Sequence, residues 1–295
     1  VLLNYFYNPE FISELGAELG VPVRVQRLPL VARERAVTKA NYAAVNGLHM
    51  YYEDEGRGRP LVLLHGGGST AQTSFGAMMP ALARSHRLIA PEQQGHGHTA
   101  DIDRPLTFEQ MADDTAELLG QLGIGTADVL GYSAGGVAAM QLAMRHPEHV
   151  RRLVVCSSFY ARSGLPATLW EGMPRASPAN MPEPLRAAFY QAAPSPDDVP
   201  RMFARQVEVM QRFTDLPEAS LRAIKAPTLV MLGDADIMTV EHAVSLARLL
   251  PHSELAVMPG SAHGTYLGAL EGIKAGSRLP ELTVALLEEF LSERS

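Results

Sequence analysis

Cysteine is nearly missing from this chain: Cys156 is the single one in 295 residues. No intrachain disulfide can form. Within the apolar run Leu153-Val154-Val155-Cys156 it reads as a buried strand residue. That fits a reducing compartment, and a cytoplasmic location is expected. Charge is also modest, at 19% of residues with a formal net of -7 and no Lys/Arg run, which argues against a nucleic-acid-binding surface. No apolar run approaches the length of a membrane span. Residues Val1-Leu2-Leu3-Asn4-Tyr5-Phe6 lack a basic n-region and a sustained apolar core, so no signal peptide is expected. Internal repeats and low-complexity stretches are not evident. What remains is a chain with 46% hydrophobic residues, ordinary for a globular protein. Its length suits one large α/β domain, with or without an inserted subdomain.

Residues 1–40 carry the weakest pattern. Asn8-Pro9-Glu10 resembles a helix start, with Phe11, Leu15 and Leu19 on one face and Gly20 at the end. Val21, Val23 and Val25 then alternate with polar residues and Pro22 as an edge strand would. This segment is expected to pack on the side of the domain. Capping a pocket or pairing in a homodimer are its other readings.

From residue 41 the pattern becomes regular. Asn46-Gly47 predicts a hairpin turn. Strands are expected at Leu61–Leu64, His86–Ala90, Asp128–Leu130, Leu153–Cys156, Thr228–Leu232 and Leu255–Met258. Helices are expected across Phe75–Leu82 and Phe108–Leu119. Alternating strands and helices predict a mostly parallel sheet with helices on both faces. The alternation stops for about seventy residues between Cys156 and Thr228, too long for a structureless loop. Helical spacing at Leu185–Ala192 and Pro200–Arg212 predicts a helical insertion there. The expected organisation is a core of 41–156 and 222–295, an insertion of 157–221 and an extension of 1–40.

One pentapeptide carries most of the functional information. Gly131-Tyr132-Ser133-Ala134-Gly135 follows the apolar run Asp128–Leu130 and opens into Gly136-Val137-Ala138-Ala139-Met140. A Gly-x-Ser-x-Gly between strand and helix is a nucleophile elbow, a tight turn that exposes a serine. A serine hydroxyl needs a base to take its proton and an acid to orient that base. The best acid lies in Gly233-Asp234-Ala235-Asp236-Ile237, after the strand at Thr228–Leu232. The best base is His263, in Pro259-Gly260-Ser261-Ala262-His263-Gly264 after the next strand. Nine other histidines compete. His65 reads as a loop-ordering residue, and His146, His149, His242 and His252 as solvated helix-end residues. His96 and His98 lack the further ligands that a metal site needs. Ala134 N–H is one expected oxyanion donor, being the residue after the serine.

The run Leu61–Gly68, the loop Glu92–Asp101, the elbow, Gly-x-x-Asp and the late Gly-x-x-His, in this order, resemble the α/β-hydrolase superfamily. The resemblance spans roughly residues 42–295 and implies an α/β-hydrolase fold with a helical cap at the insertion. It implies Asp236 as the acid, with Asp234 as its competitor, and Gly67 of His65-Gly66-Gly67-Gly68 as the second oxyanion donor. It gives Gln94–Thr99 a supporting role beside the oxyanion loop. Gly68, Tyr132, Phe159 and Trp170 are expected around an apolar substrate pocket. The expected activity is cofactor-free, metal-free cleavage of carboxylic esters by Ser133, His263 and Asp236, on a small, mainly apolar molecule. A lactonase, a carbon–carbon bond hydrolase or a perhydrolase would share these residues, and a ligand-binding protein on the same fold is the non-enzymatic alternative. Dehalogenases and epoxide hydrolases need an aspartate where Ser133 stands.

Overall fold

Asn46 and Gly47 both take positive φ, 48° and 82°, and turn strand β1 (Asn41–Val45) directly into β2 (Leu48–Gly56). This is the primed geometry that an Asn-Gly pair favours. The structure, a computed structural model, describes residues 41–292. The helix and edge strand expected within 1–40 lie outside the described residues.

After the hairpin come β3 (Arg59–Leu64), α1 (Ala71–Phe75), α2 (Met79–Leu82), β4 (His86–Pro91) and α3 (Phe108–Gln121). They are followed by β5 (Ala127–Tyr132), α4 (Ala134–Arg145) and β6 (Val150–Cys156). Where one helix was expected over Phe75–Leu82, two short ones form. Gly76 closes α1, and Pro80 sits in the first turn of α2, where its missing N–H costs nothing. Phe75, Met78, Met79 and Leu82 are all buried, so their apolar spacing reads as continuous although the backbone is not.

Between β6 and β7 (Thr228–Ala235) the described chain holds helices and no strand. These are α5 (Ala167–Gly172), α6 (Glu183–Ala192), α7 (Val199–Arg212) and α8 (Glu218–Arg222). The chain ends with α9 (Val240–Leu249), β8 (Ser253–Ala262) and α10 (Leu279–Ser292). The eight strands form one sheet in the order β1-β2-β4-β3-β5-β6-β7-β8. β1–β2 and β2–β4 pair antiparallel, and every later pair is parallel.

Strand side chains alternate between faces. Val62, Leu64, Val129, Leu153 and Val155 join one core with residues of α3 and α4. Leu61, Leu63, Leu130 and Val154 join another with residues of α1, α2 and α10. From β3 the chain steps outward to β4, then returns to β5 on the opposite side of β3. The C-terminal ends of β3 and β5 therefore flank a switch point, where open α/β sheets leave a crevice. No helix among the described residues is long and apolar enough to cross a membrane.

Candidate active site

Ser133 sits in that crevice, between the last residue of β5 and the first of α4. Its φ of 53° and ψ of -121° are strained for a residue with a side chain. Its neighbours hold the strain in place. Ser133 N–H donates to Cys156 O at 2.9 Å, and Ser133 O accepts from Gly136 N at 2.9 Å and Ser158 Oγ at 2.7 Å. The flanking glycines are required by contact. A Cβ on Gly135 would lie 2.1 Å from Leu64 O, and one on Gly131 would lie 2.3 Å from Gly135 O. Ser133 occupies the N-cap of α4 yet makes no side-chain capping bond, so its hydroxyl is not spent on the helix.

The loop after β3 lies alongside. A Cβ on Gly67 would meet Ala134 Cβ at 3.5 Å, which brings the two expected oxyanion residues into contact across the crevice. His65 holds the loop's base. Its Nε2 accepts from Gln93 N at 3.0 Å, so Nδ1 carries the proton and donates to Gly66 O at 2.8 Å. Burial pushes the His65 pKa down, in keeping with a neutral structural imidazole.

Asp236 follows β7, and His263 follows β8. His263 Nδ1 meets Asp236 Oδ1 at 2.7 Å, with both side chains nearly or wholly shielded from solvent. Asp236 Oδ1 also accepts from Ile237 N at 2.7 Å, and Oδ2 accepts from Ser157 Oγ and from Gly233 N at 3.3 Å. Burial raises the Asp236 pKa, but the adjacent His263 and these donors outweigh it and hold the carboxyl below its ordinary range. An imidazole whose Nδ1–H faces a carboxylate presents Nε2 as a proton acceptor. The His263 ring lies 5.0 Å from the Tyr132 ring, one residue before Ser133. Asp234, the competing acid, is exposed and accepts from Ser261 N at 3.0 Å. It braces the end of β8 rather than His263.

A cavity opens over Ser133. Gly67, Gly68 and Ala134 form its floor beside the serine, and Phe159, Leu165, Leu169, Phe203, Gln206, Val207, Met210, Ile237 and Met238 form its walls. Of the four residues expected around a substrate pocket, Gly68 and Phe159 line this cavity. Tyr132 does not line the cavity. The strand's alternation sends its ring into the opposite core, where its hydroxyl donates to Glu271 Oε1 at 2.8 Å. Trp170 is also set back. Its indole N–H donates to Arg162 O at 2.9 Å, its ring carries the Arg162 guanidinium at 4.0 Å, and only its edge contact with Phe159 reaches toward the cavity.

The histidines sort by environment. His242 is buried rather than solvated, stacked 4.5 Å from the Tyr160 ring and accepting from Tyr160 N at 3.3 Å. Burial lowers its pKa to about 4. His96 is buried with Nδ1 3.0 Å from Gln94 O, while Glu92 Oε2 accepts from His98 N at 2.6 Å and pairs with His98 Nδ1 at 2.8 Å. The pair therefore ties down the turn beside the Gly loop. Among the described residues, no group of three His, Cys, Asp or Glu comes together as a metal site. Cys156 is buried in β6, and burial pushes its thiol up to about 12.

Sequence reasoning missed three contributors. Ser157 has a φ of 45° and reaches both Asp236 and Tyr266 Oη, the latter at 3.0 Å. Tyr266 Oη also donates to Met231 O at 3.2 Å. Gln206 is a polar residue on the apolar wall. No local signal marks the first two, because their partners lie 79 and 109 residues away in the chain. Gln206 was visible as a polar residue next to the apolar helical stripe of Met202, Phe203, Val207 and Met210.

Comparison with known proteins identifies the fold family. Residues 59–211 match the family described as alpha/beta hydrolase fold. The chain is similar to 2-hydroxymuconate semialdehyde hydrolase of Pseudomonas sp. (strain CF600), at 32% identity over 75% of this chain and 86% of that protein. It is also similar to serine hydrolase BPHL of Mus musculus, at 27% identity over 87% and 89%. Among solved structures, a thermophilic esterase from Thermogutta terrifontis superposes with a TM-score of 0.67 at 25% identity, covering 86% of this chain and 98% of that one. With the elbow at its switch point, the Gly loop beside it and a family match across more than half its length, this chain belongs to the α/β-hydrolase fold family.

Proposed function

We propose that this protein is a serine hydrolase that cleaves neutral carboxylic esters through an acyl-enzyme. The observation that carries the reading is the buried His263–Asp236 pair at 2.7 Å, which, like the serine in its strained elbow, follows the C-terminal ends of parallel strands. Ser133 Oγ attacks the acyl carbon while His263 Nε2 takes its proton, and Asp236 stabilises the imidazolium. The N–H groups of Gly67 and Ala134 hold the oxyanion. His263 then returns the proton to the departing alcohol, leaving the acyl group on Ser133. Water, deprotonated by His263, attacks that acyl carbon, and Ser133 leaves with the proton restored. The segment 157–221 acts as a cap, supplying Leu165, Leu169, Phe203 and Met210 to the cavity.

The cavity's lining supports a neutral substrate. Apart from Ser133 and Gln206 its side chains are apolar, and a carboxylate buried among them would lack a compensating charge. Carbon–carbon bond hydrolysis is the second reading, favoured by the 32% identity to 2-hydroxymuconate semialdehyde hydrolase. Parallel assays separate the two. Neutral p-nitrophenyl esters should be cleaved, and an anionic hydroxydienoate should be cleaved at least a hundredfold less efficiently. The reverse order would assign the site to carbon–carbon cleavage.

A further inference from the structure

Gln206 occupies a position where a helix facing an apolar cavity ordinarily carries leucine. On α7 it shares a face with Phe203, Val207 and Met210 at helical spacing. It is only 9% exposed. Its amide nitrogen donates to Gly95 O at 2.6 Å, and this fixes the amide's orientation. An oxygen placed that close to a carbonyl oxygen would be repelled, so the nitrogen must face Gly95. The carbonyl oxygen, Oε1, is the end left over. Among the described residues no group donates to it, and it is not a sealed orphan atom. The helix beneath is itself braced. Arg201 and Arg205 each reach Asp101 Oδ2 at 3.3 Å, and Arg205 also donates to Arg104 O at 3.0 Å. Gln206 is therefore a residue of the apolar cavity lining held on a fixed arm, with its acceptor unspent.

We propose that Gln206 Oε1 is a specificity contact that accepts a hydrogen bond from a hydroxyl or amide N–H on the substrate group seated beneath α7. The inference rests on the Ser133 hydrolase reading and names its substrate class: neutral esters that carry a hydrogen-bond donor. An ester with a plain hydrocarbon group would desolvate Oε1 without replacing its bond. A donor-bearing ester replaces it, and a site built this way discriminates against the analogue that lacks the donor. An ether oxygen at the same place would face Oε1 as a second acceptor.

The test compares kcat/KM for p-nitrophenyl pentanoate, its hydroxyl-substituted forms and their methoxy counterparts. A matching series of acetate esters carries the hydroxyl or methoxy group on the alcohol side. Wild type, Gln206→Leu and Gln206→Met are assayed together, with melting temperatures to show that each variant folds. At least one hydroxylated ester should exceed both its plain and methoxy counterparts in the wild type. Removing the amide should lower the ratio of kcat/KM for that ester over its plain counterpart about tenfold. If Gln206→Leu fails to fold, the wild-type preference and Gln206→Met decide. Equal use of hydroxyl and methoxy esters, or a common factor lost on every ester, overturns the contact while leaving the hydrolase reading intact. A wild type that cleaves none of the esters removes that reading and this inference with it.

Discussion

Ser157 donates to Asp236 Oδ2 while His263 Nδ1 engages Oδ1, so each oxygen of this carboxylate has its own side-chain partner. The arrangement needs Ser157 at a φ of 45°, a backbone region that costs a residue with a Cβ roughly 1 kcal/mol. Two variants separate the hydroxyl from the strain. Ser157→Ala and Ser157→Gly should lower kcat to a similar extent, about tenfold, with KM nearly unchanged. Ser157→Gly should be the more stable by roughly 1 kcal/mol, because glycine accepts positive φ. Equal kcat in Ser157→Gly and wild type would show that the hydroxyl does not position Asp236.

The two acids of the loop after β7 should differ sharply. Asp236→Asn keeps the shape but presents an amide to His263, and turnover should fall about 10⁴-fold. Asp234→Asn keeps an oxygen that can accept from Ser261 N and should stay within about threefold of wild type. Steady-state kinetics on one ester settles the order. A comparable loss in both variants would contradict the assignment of Asp236.

His242 makes part of the stability depend on pH. Its folded pKa is about 4 because burial disfavours the charged ring, against about 6.5 unfolded. Between those values the unfolded chain binds more protons, so stability rises with pH there. The contribution is complete above about pH 6.5 and is lost as pH falls toward 4, by at most roughly 3 kcal/mol. Melting temperatures from pH 7 to 4.5 should therefore drop less steeply for His242→Gln than for wild type. Parallel slopes would contradict the burial of a neutral His242.

What the sequence made legible was local or periodic. The elbow declared itself because Gly131, Ser133 and Gly135 fall within one pentapeptide, although the backbone that excludes a Cβ at Gly135 belongs to the distant Leu64. The inner parallel strands were legible because both their faces are buried, which leaves unbroken apolar runs such as Leu61–Leu64. Contacts that depend on distant segments were not. Tyr132 and Ser133 are neighbours in sequence, but Ser133 lines the cavity while the Tyr132 ring is packed in the core, so pocket membership could not be read from adjacency. His242 looked like a helix-surface residue, yet Tyr160 of the inserted segment stacks over it. The apolar spacing from Phe75 to Leu82 concealed a break because both short helices bury the same side.

The central claim is an activated Ser133, and intact mass after incubation with a fluorophosphonate tests it most directly. The expected result is a single covalent adduct on the wild type, slowed by Asp236→Asn and absent from Ser133→Ala. A wild type that takes no adduct, or a Ser133→Ala variant labelled as fast as wild type, would contradict it.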